Sequence, residues 1–206
     1  MKKICIVFLS LLLLCSCDSI LNGISKQSAY FPLAVDNEWV YRVDYDGSTS
    51  IQTIKVIAET NGVYTLEITI GSESETTDSP NSFQYKVSYE NSGVYTNSDG
   101  LIISENSTSF NASSLTRLFE THYSSDRIPG TINFENNGQN LTCEFVCTPD
   151  NTYNCTYIFS QSFEKGVGLK SWTDQKTFYN PFWGMEVDTW RGTLVSATID
   201  GETTNY

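Results

Sequence analysis

The chain opens with a block of apolar residues and later settles into alternation. Ile4 to Leu14 is apolar except for Ser10. From Trp39 onward the period is two. Trp39, Tyr41, Val43 and Tyr45 share one face of a predicted strand, with Arg42 and Asp44 on the other. Asp46-Gly47-Ser48 is a turn, Ile51 to Ala58 a second strand, and Glu59-Thr60-Asn61-Gly62 turns the chain back. Tyr64, Leu66, Ile68 and Ile70 then form an apolar face opposed by Thr65, Glu67 and Thr69. Alternating runs bounded by Asn, Asp and Gly are hairpin signals.

The pattern continues after the polar stretch Gly71–Asn81. Phe83, Tyr85, Val87 and Tyr89 mark a strand, followed by Val94-Tyr95 and Leu101-Ile102-Ile103. Ser113 to His122 breaks it: Leu115, Leu118 and Phe119 recur at helical spacing and predict one short helix. Strands resume over Thr131–Glu135, Leu141–Cys147, Asn154–Ser160, Gly166–Thr173, Met185–Arg191 and Thr193–Asp200. About a dozen antiparallel strands in a meander predict an all-β domain: a large curved sheet, a partly open barrel or a sandwich, with at most one short helix.

The opening block is a different element. Met1-Lys2-Lys3 supplies a basic start, and the apolar run is too short to span a bilayer but suits a signal peptide. It ends in Leu14-Cys15-Ser16-Cys17, a lipobox-like site with small Ser16 before Cys17 and an aliphatic residue three positions upstream. Cys15 is the rival, but bulky Leu14 precedes it. The expected organisation is a signal peptide over 1–16, a tether over 17–28 lipidated at Cys17, and one β-rich domain over 29–206. Several acyl chains anchor firmly, since each buried methylene contributes about 0.8 kcal/mol. The expected location is the bacterial envelope, lipid-anchored to the outer membrane and facing either the periplasm or the surface. Cys17→Ser is expected to leave a soluble or unprocessed protein.

Composition narrows the partners. The chain carries 12 basic and 24 acidic residues, a net −12. Removing the signal takes Lys2 and Lys3 and leaves −14. Such a surface repels nucleic acid and anionic headgroups, so the membrane partner is reached through the lipid anchor alone. An oxidising envelope permits disulfides. Cys147 and Cys155 flank a predicted hairpin loop, Thr148–Asn154, and are the disulfide candidates. Cys143 lies ~13 Å from Cys147 along one strand, too far to bond. It is the expected odd thiol, buried. One histidine, His122, and no paired short cysteine spacing argue against zinc, and no cofactor is expected.

Two stretches carry a resemblance. Pro32-Leu33-Ala34-Val35-Asp36-Asn37-Glu38-Trp39-Val40-Tyr41 resembles the opening of a broad group of uncharacterised bacterial envelope lipoproteins, whose pattern reads Pro-Leu-x-x-Gly-Asn-x-Trp-x-Tyr. Gly166-Val167-Gly168-Leu169 is similar to that group's late Gly-Val-Gly-Leu strand. The resemblance implies fold and location, and no reaction. Asp36 replaces the group's glycine, and aspartate tolerates positive φ better than most residues. Gly166 and Gly168 leave bare backbone for an aromatic such as Trp39 to cover, or for a ligand to approach.

No nucleophile elbow, phosphate loop, paired-histidine zinc motif or dinucleotide fingerprint occurs. The expected class is non-catalytic. The binding candidates are Tyr179, Phe182 and Trp183, rings between predicted strands. Three readings remain open. A carrier would hold a lipid-like ligand in the sheet hollow, lined by Trp39 or Tyr64. A surface module for glycan or protein would have a filled core and an exposed Tyr179–Trp183 patch. A hydrolase would need clustered carboxylates or a cysteine beside His122.

Overall fold

The computed structural model describes residues 28–72, 81–90, 93–96, 101–112, 130–147, 156–180, 182 and 184–206. Thirteen strands carry the described chain: β1 (Glu38–Tyr45), β2 (Ser48–Thr60), β3 (Val63–Ser72), β4 (Asn81–Glu90), β5 (Gly93–Thr96), β6 (Leu101–Ser104), β7 (Thr108–Ala112), β8 (Gly130–Asn136), β9 (Asn140–Cys147), β10 (Thr156–Glu164), β11 (Gly168–Asn180), β12 (Gly184–Ile199) and β13 (Glu202–Asn205). The predicted helix over 113–122, and His122 with it, lies outside the described residues.

The strands form one antiparallel sheet ordered β6-β5-β4-β3-β2-β1-β12-β11-β10-β9-β8-β7. Every strand beside its chain neighbour is the meander that the alternation predicts. Pairing of β1 with β12 joins the first and last long strands and bends the sheet into a nearly closed barrel. The two free edges, β6 and β7, are consecutive in the chain, so the barrel has a single seam. The short strand β13 pairs with Ser196–Ile199 of β12, the stretch that β11 leaves uncovered.

Three details differ from the predicted strands. β12 runs unbroken through Gly192, where two strands were expected; Trp172 lies against that glycine, leaving no room for a Cβ. β11 reaches Asn180, further than predicted, and makes a long hairpin with β12. β7 and β13 have no alternating apolar residues to reveal them.

The inward residues make one core. It includes Trp39, Tyr41, Ile54, Val56, Leu66, Ile68, Leu141, Phe145, Phe163 and Leu169, all essentially inaccessible. The lead-in before β1 closes one rim. Phe31 is fully buried and stacks on Trp39 at 5.0 Å between centroids. Trp39 Nε1 donates to the Val167 carbonyl at 2.6 Å, and Tyr41 Oη to the Leu169 carbonyl at 2.9 Å. Asp36 adopts φ +73°, the conformation expected where the resembling pattern has glycine.

The barrel has two unlike rims. The near rim carries the lead-in and the connections 61–62, 105–107, 137–139 and 165–167. The strand ends that flank 73–80, 97–100, 113–129, 148–155 and 181–183 all lie at the far rim.

Candidate functional site

Glu105 organises the near rim. Its carboxylate accepts from Ser28 Oγ at 2.6 Å, Ala29 N at 2.9 Å and Tyr89 Oη at 3.3 Å. Its carbonyl accepts from Asn136 Nδ2 at 2.6 Å, while Tyr30 Oη donates to Asn136 Oδ1 at 2.6 Å. One residue in the β6–β7 link thus ties together the lead-in, β4 and β8. The arrangement is structural: it spans the seam and fixes Ser28 and Ala29 at this rim.

The carrier reading looked to Trp39 and Tyr64. Both are buried in the core, at 0% and 5% exposure. The bare backbone at Gly168 is covered by Trp39: a Cβ there would stand 2.7 Å from the indole nitrogen, and φ is +110°. Packing, with no ligand, accounts for that glycine. The interior is not wholly apolar. Gln52 and Gln161 are buried there, and both polar atoms of the Gln52 amide and the amide nitrogen of Gln161 find no hydrogen-bond partner among the described residues.

Phe182, at the tip of the β11–β12 hairpin, is 86% exposed. Met185 and Val187 follow on the outward face of β12, at 63% and 54%. The side chain of Tyr179, and Trp183 as a whole, lie outside the described residues. Cys143 faces the core, and burial pushes its thiol up to about 12, with the Glu144 charge adding to the rise. The last described β9–β10 pair is Val146–Ile158. The side chain of Cys147 and residue Cys155 lie outside the description, so the disulfide candidate does too. Among the described residues no three His, Cys, Asp or Glu side chains gather as a metal site, and no helix is long and apolar enough to cross a membrane.

A concavity of about 380 Å³ lies on the outer wall of β8–β11. Its outward side chains form two rows across four strands. One row is Asn133–Glu144–Ser160–Thr173, and the other Glu135–Thr142–Ser162–Ser171, each neighbour being a register partner. Cys143, Gln161 and Trp172, whose side chains are buried, complete the floor between the rows. Sequence reasoning missed this site because its residues are spread over some forty positions and meet only through register. The one signal available was hydroxyl and acid residues recurring opposite the apolar positions of neighbouring strands.

No protein-family model matches the chain, and no curated protein sequence matches it. Two solved structures resemble it. A protein from Parabacteroides distasonis, proposed to be a lipoprotein, superimposes with TM-score 0.42 at 9% identity, over 87% of this chain and 100% of that one. A protein from Bacteroides fragilis, proposed to be exported and described as having a YmcC-like fold, gives 0.41 at 8%, over 85% and 99%. Likeness at that level carries no function to this chain.

Proposed function

We propose that this chain is a lipid-anchored, non-catalytic binding module of the bacterial envelope that works through its outer surface. The observation that supports this reading is the packed interior: Trp39, Tyr41, Phe145, Phe163 and Leu169 occupy the space a carrier would need for an acyl chain. The lipidation site Cys17 and the basic, apolar leader argue for the anchor. Ser28, the first described residue, is held at the near rim, so an anchor upstream of it would set the membrane on that side and leave the far rim, with Phe182, pointing away. An acidic balance, net −12 with the leader and −14 without Lys2 and Lys3, argues against nucleic acid as a partner.

Catalysis has little to work with among the described residues. The Cys143 thiol faces the core. Glu135 and Glu144 lie diagonally on neighbouring strands at one wall of the groove, whereas glycoside hydrolysis places its carboxylates on opposite sides of the scissile bond.

Titration with a fluorescent long-chain fatty acid tests the reading, using the chain from Asp18 onward, which keeps every described residue. No saturable binding is expected. Saturable one-to-one binding that Trp39→Ala weakens would establish a carrier instead.

A further inference from the structure

The groove on β8–β11 has a composition that strand formation does not demand. Cross-strand pairs on a sheet gain from aromatic and β-branched contacts, from hydrogen bonds between hydroxyl residues and from opposite charges. At the centre of this wall the pairs are Ser162–Ser171 and Ser160–Thr173, with Glu144 and Thr142 beside them on β9. Short side chains in the middle and longer ones at the β8–β9 side create the hollow. No hydrogen bond or ion pair within the protein engages the side chains of Asn133, Glu135, Thr142, Glu144, Ser160, Ser162, Ser171 or Thr173 among the described residues. Their hydrogen-bonding capacity faces outward, into one hollow.

We infer that this groove binds a neutral, polyhydroxylated ligand, a short oligosaccharide, on the outer wall of the barrel. The inference deepens the outer-surface reading above and rests on it. Four features select the ligand class. The volume lies within the ~300–1,000 Å³ of small-ligand sites. Every outward side chain in the lining is polar, which leaves an acyl chain nothing to bury. The lining holds two carboxylates and no cation, which disfavours an anion. The cations at its border are engaged elsewhere: Lys170, before Ser171 on β11, pairs with Glu164 at 3.3 Å, and Arg191, the register partner of Thr173 on β12, acts on the charge of Asp44. A peptide strand is also disfavoured, because β8, β9, β10 and β11 are each paired on both sides and have no free edge here. Sugar hydroxyls fit what is left. They donate to Glu135 and Glu144, and both donate to and accept from the serine, threonine and asparagine groups.

The test is an array of immobilised neutral and acidic oligosaccharides, probed with the chain from Asp18 onward. Retention on neutral glycans is expected, with acidic glycans weaker. Ser162→Trp and Ser171→Trp, which fill the floor from adjoining strands, should each weaken binding about tenfold or more. Glu144→Gln keeps the size and removes the charged acceptor, and about tenfold loss is expected. Val195→Ala, outward on β12 beyond the groove, should bind as the unaltered chain does. Absence of retention on neutral glycans overturns the inference, as does retention that the tryptophan variants leave unchanged while their melting curves match. Should those variants fail to fold, NMR shift perturbation by the retained glycan decides: shifts centred on β8–β11 support the site, and shifts elsewhere overturn it. Fatty-acid titration separates the two levels. Saturable fatty-acid binding defeats the outer-surface reading, whereas neither glycan nor fatty acid defeats the groove alone.

Discussion

Gly168 shows how a single position joins sequence to packing. Its φ of +110° is closed to residues with a Cβ, and Trp39 Nε1 occupies the place a Cβ would take. Gly168→Ala should therefore destabilise the fold by about 2–4 kcal/mol, from backbone strain and displacement of the indole. Urea unfolding would measure it, and a loss below about 0.5 kcal/mol would contradict the packing account. Cys143 gives a second prediction. Burial first, and the Glu144 charge second, raise its thiol to about 12, so the native thiol stays protonated where a free one ionises. It should resist alkylation at pH 8.5 until the protein unfolds. The sign of the pH dependence follows. Between about 9 and 12 the folded thiol keeps a proton that the unfolded one has lost, so this group lowers stability as pH rises through that window and has no effect below it. Part of this scale was legible in the sequence. The positive φ at Asp36, the cover over Gly168 and the burial of Cys143 all follow from residue type and local pattern. The unpartnered amide of Gln52 and amide nitrogen of Gln161 do not, because each sits at an inward position that the sequence pattern alone does not mark as buried.

At the scale of elements, alternation located the strong strands and missed the weak ones. β1, β3, β4, β8 and β9 follow period-two apolar runs, and β5 and β6 follow short apolar clusters. β7 reads Thr108-Ser109-Phe110-Asn111-Ala112, with a single large apolar residue, and is a strand because β8 pairs with it. Gly192 reads as a break, yet β12 continues through it with Trp172 against the bare backbone. The seam between β6 and β7 depends on side chains more than on ladder bonds. Glu105 accepts three hydrogen bonds there, from Ser28, Ala29 and Tyr89. Glu105→Ala should cost about 2 kcal/mol, since bonds to a charged acceptor are among the stronger ones. Hydrogen exchange should show β6 and β7 losing protection before β1 and β12, and uniform loss across the sheet would contradict a local latch.

At the scale of the molecule, the closing pair β1–β12 joins residues some 150 positions apart, and no local pattern announces it. The sequence therefore points to a meander and leaves its closure open. The groove has the same origin: Glu135, Thr142, Ser162 and Ser171 form one row only after four strands align. Rim polarity, too, follows from closure and from where the lead-in docks. Native mass spectrometry of the chain from Asp18 onward, purified without delipidation, tests whether the packed barrel binds through its outside. The bare polypeptide mass is expected, with neutral-oligosaccharide adducts forming when glycan is added. An intrinsic adduct of lipid size, lost on denaturation, would contradict binding through the outside and place the ligand inside the barrel.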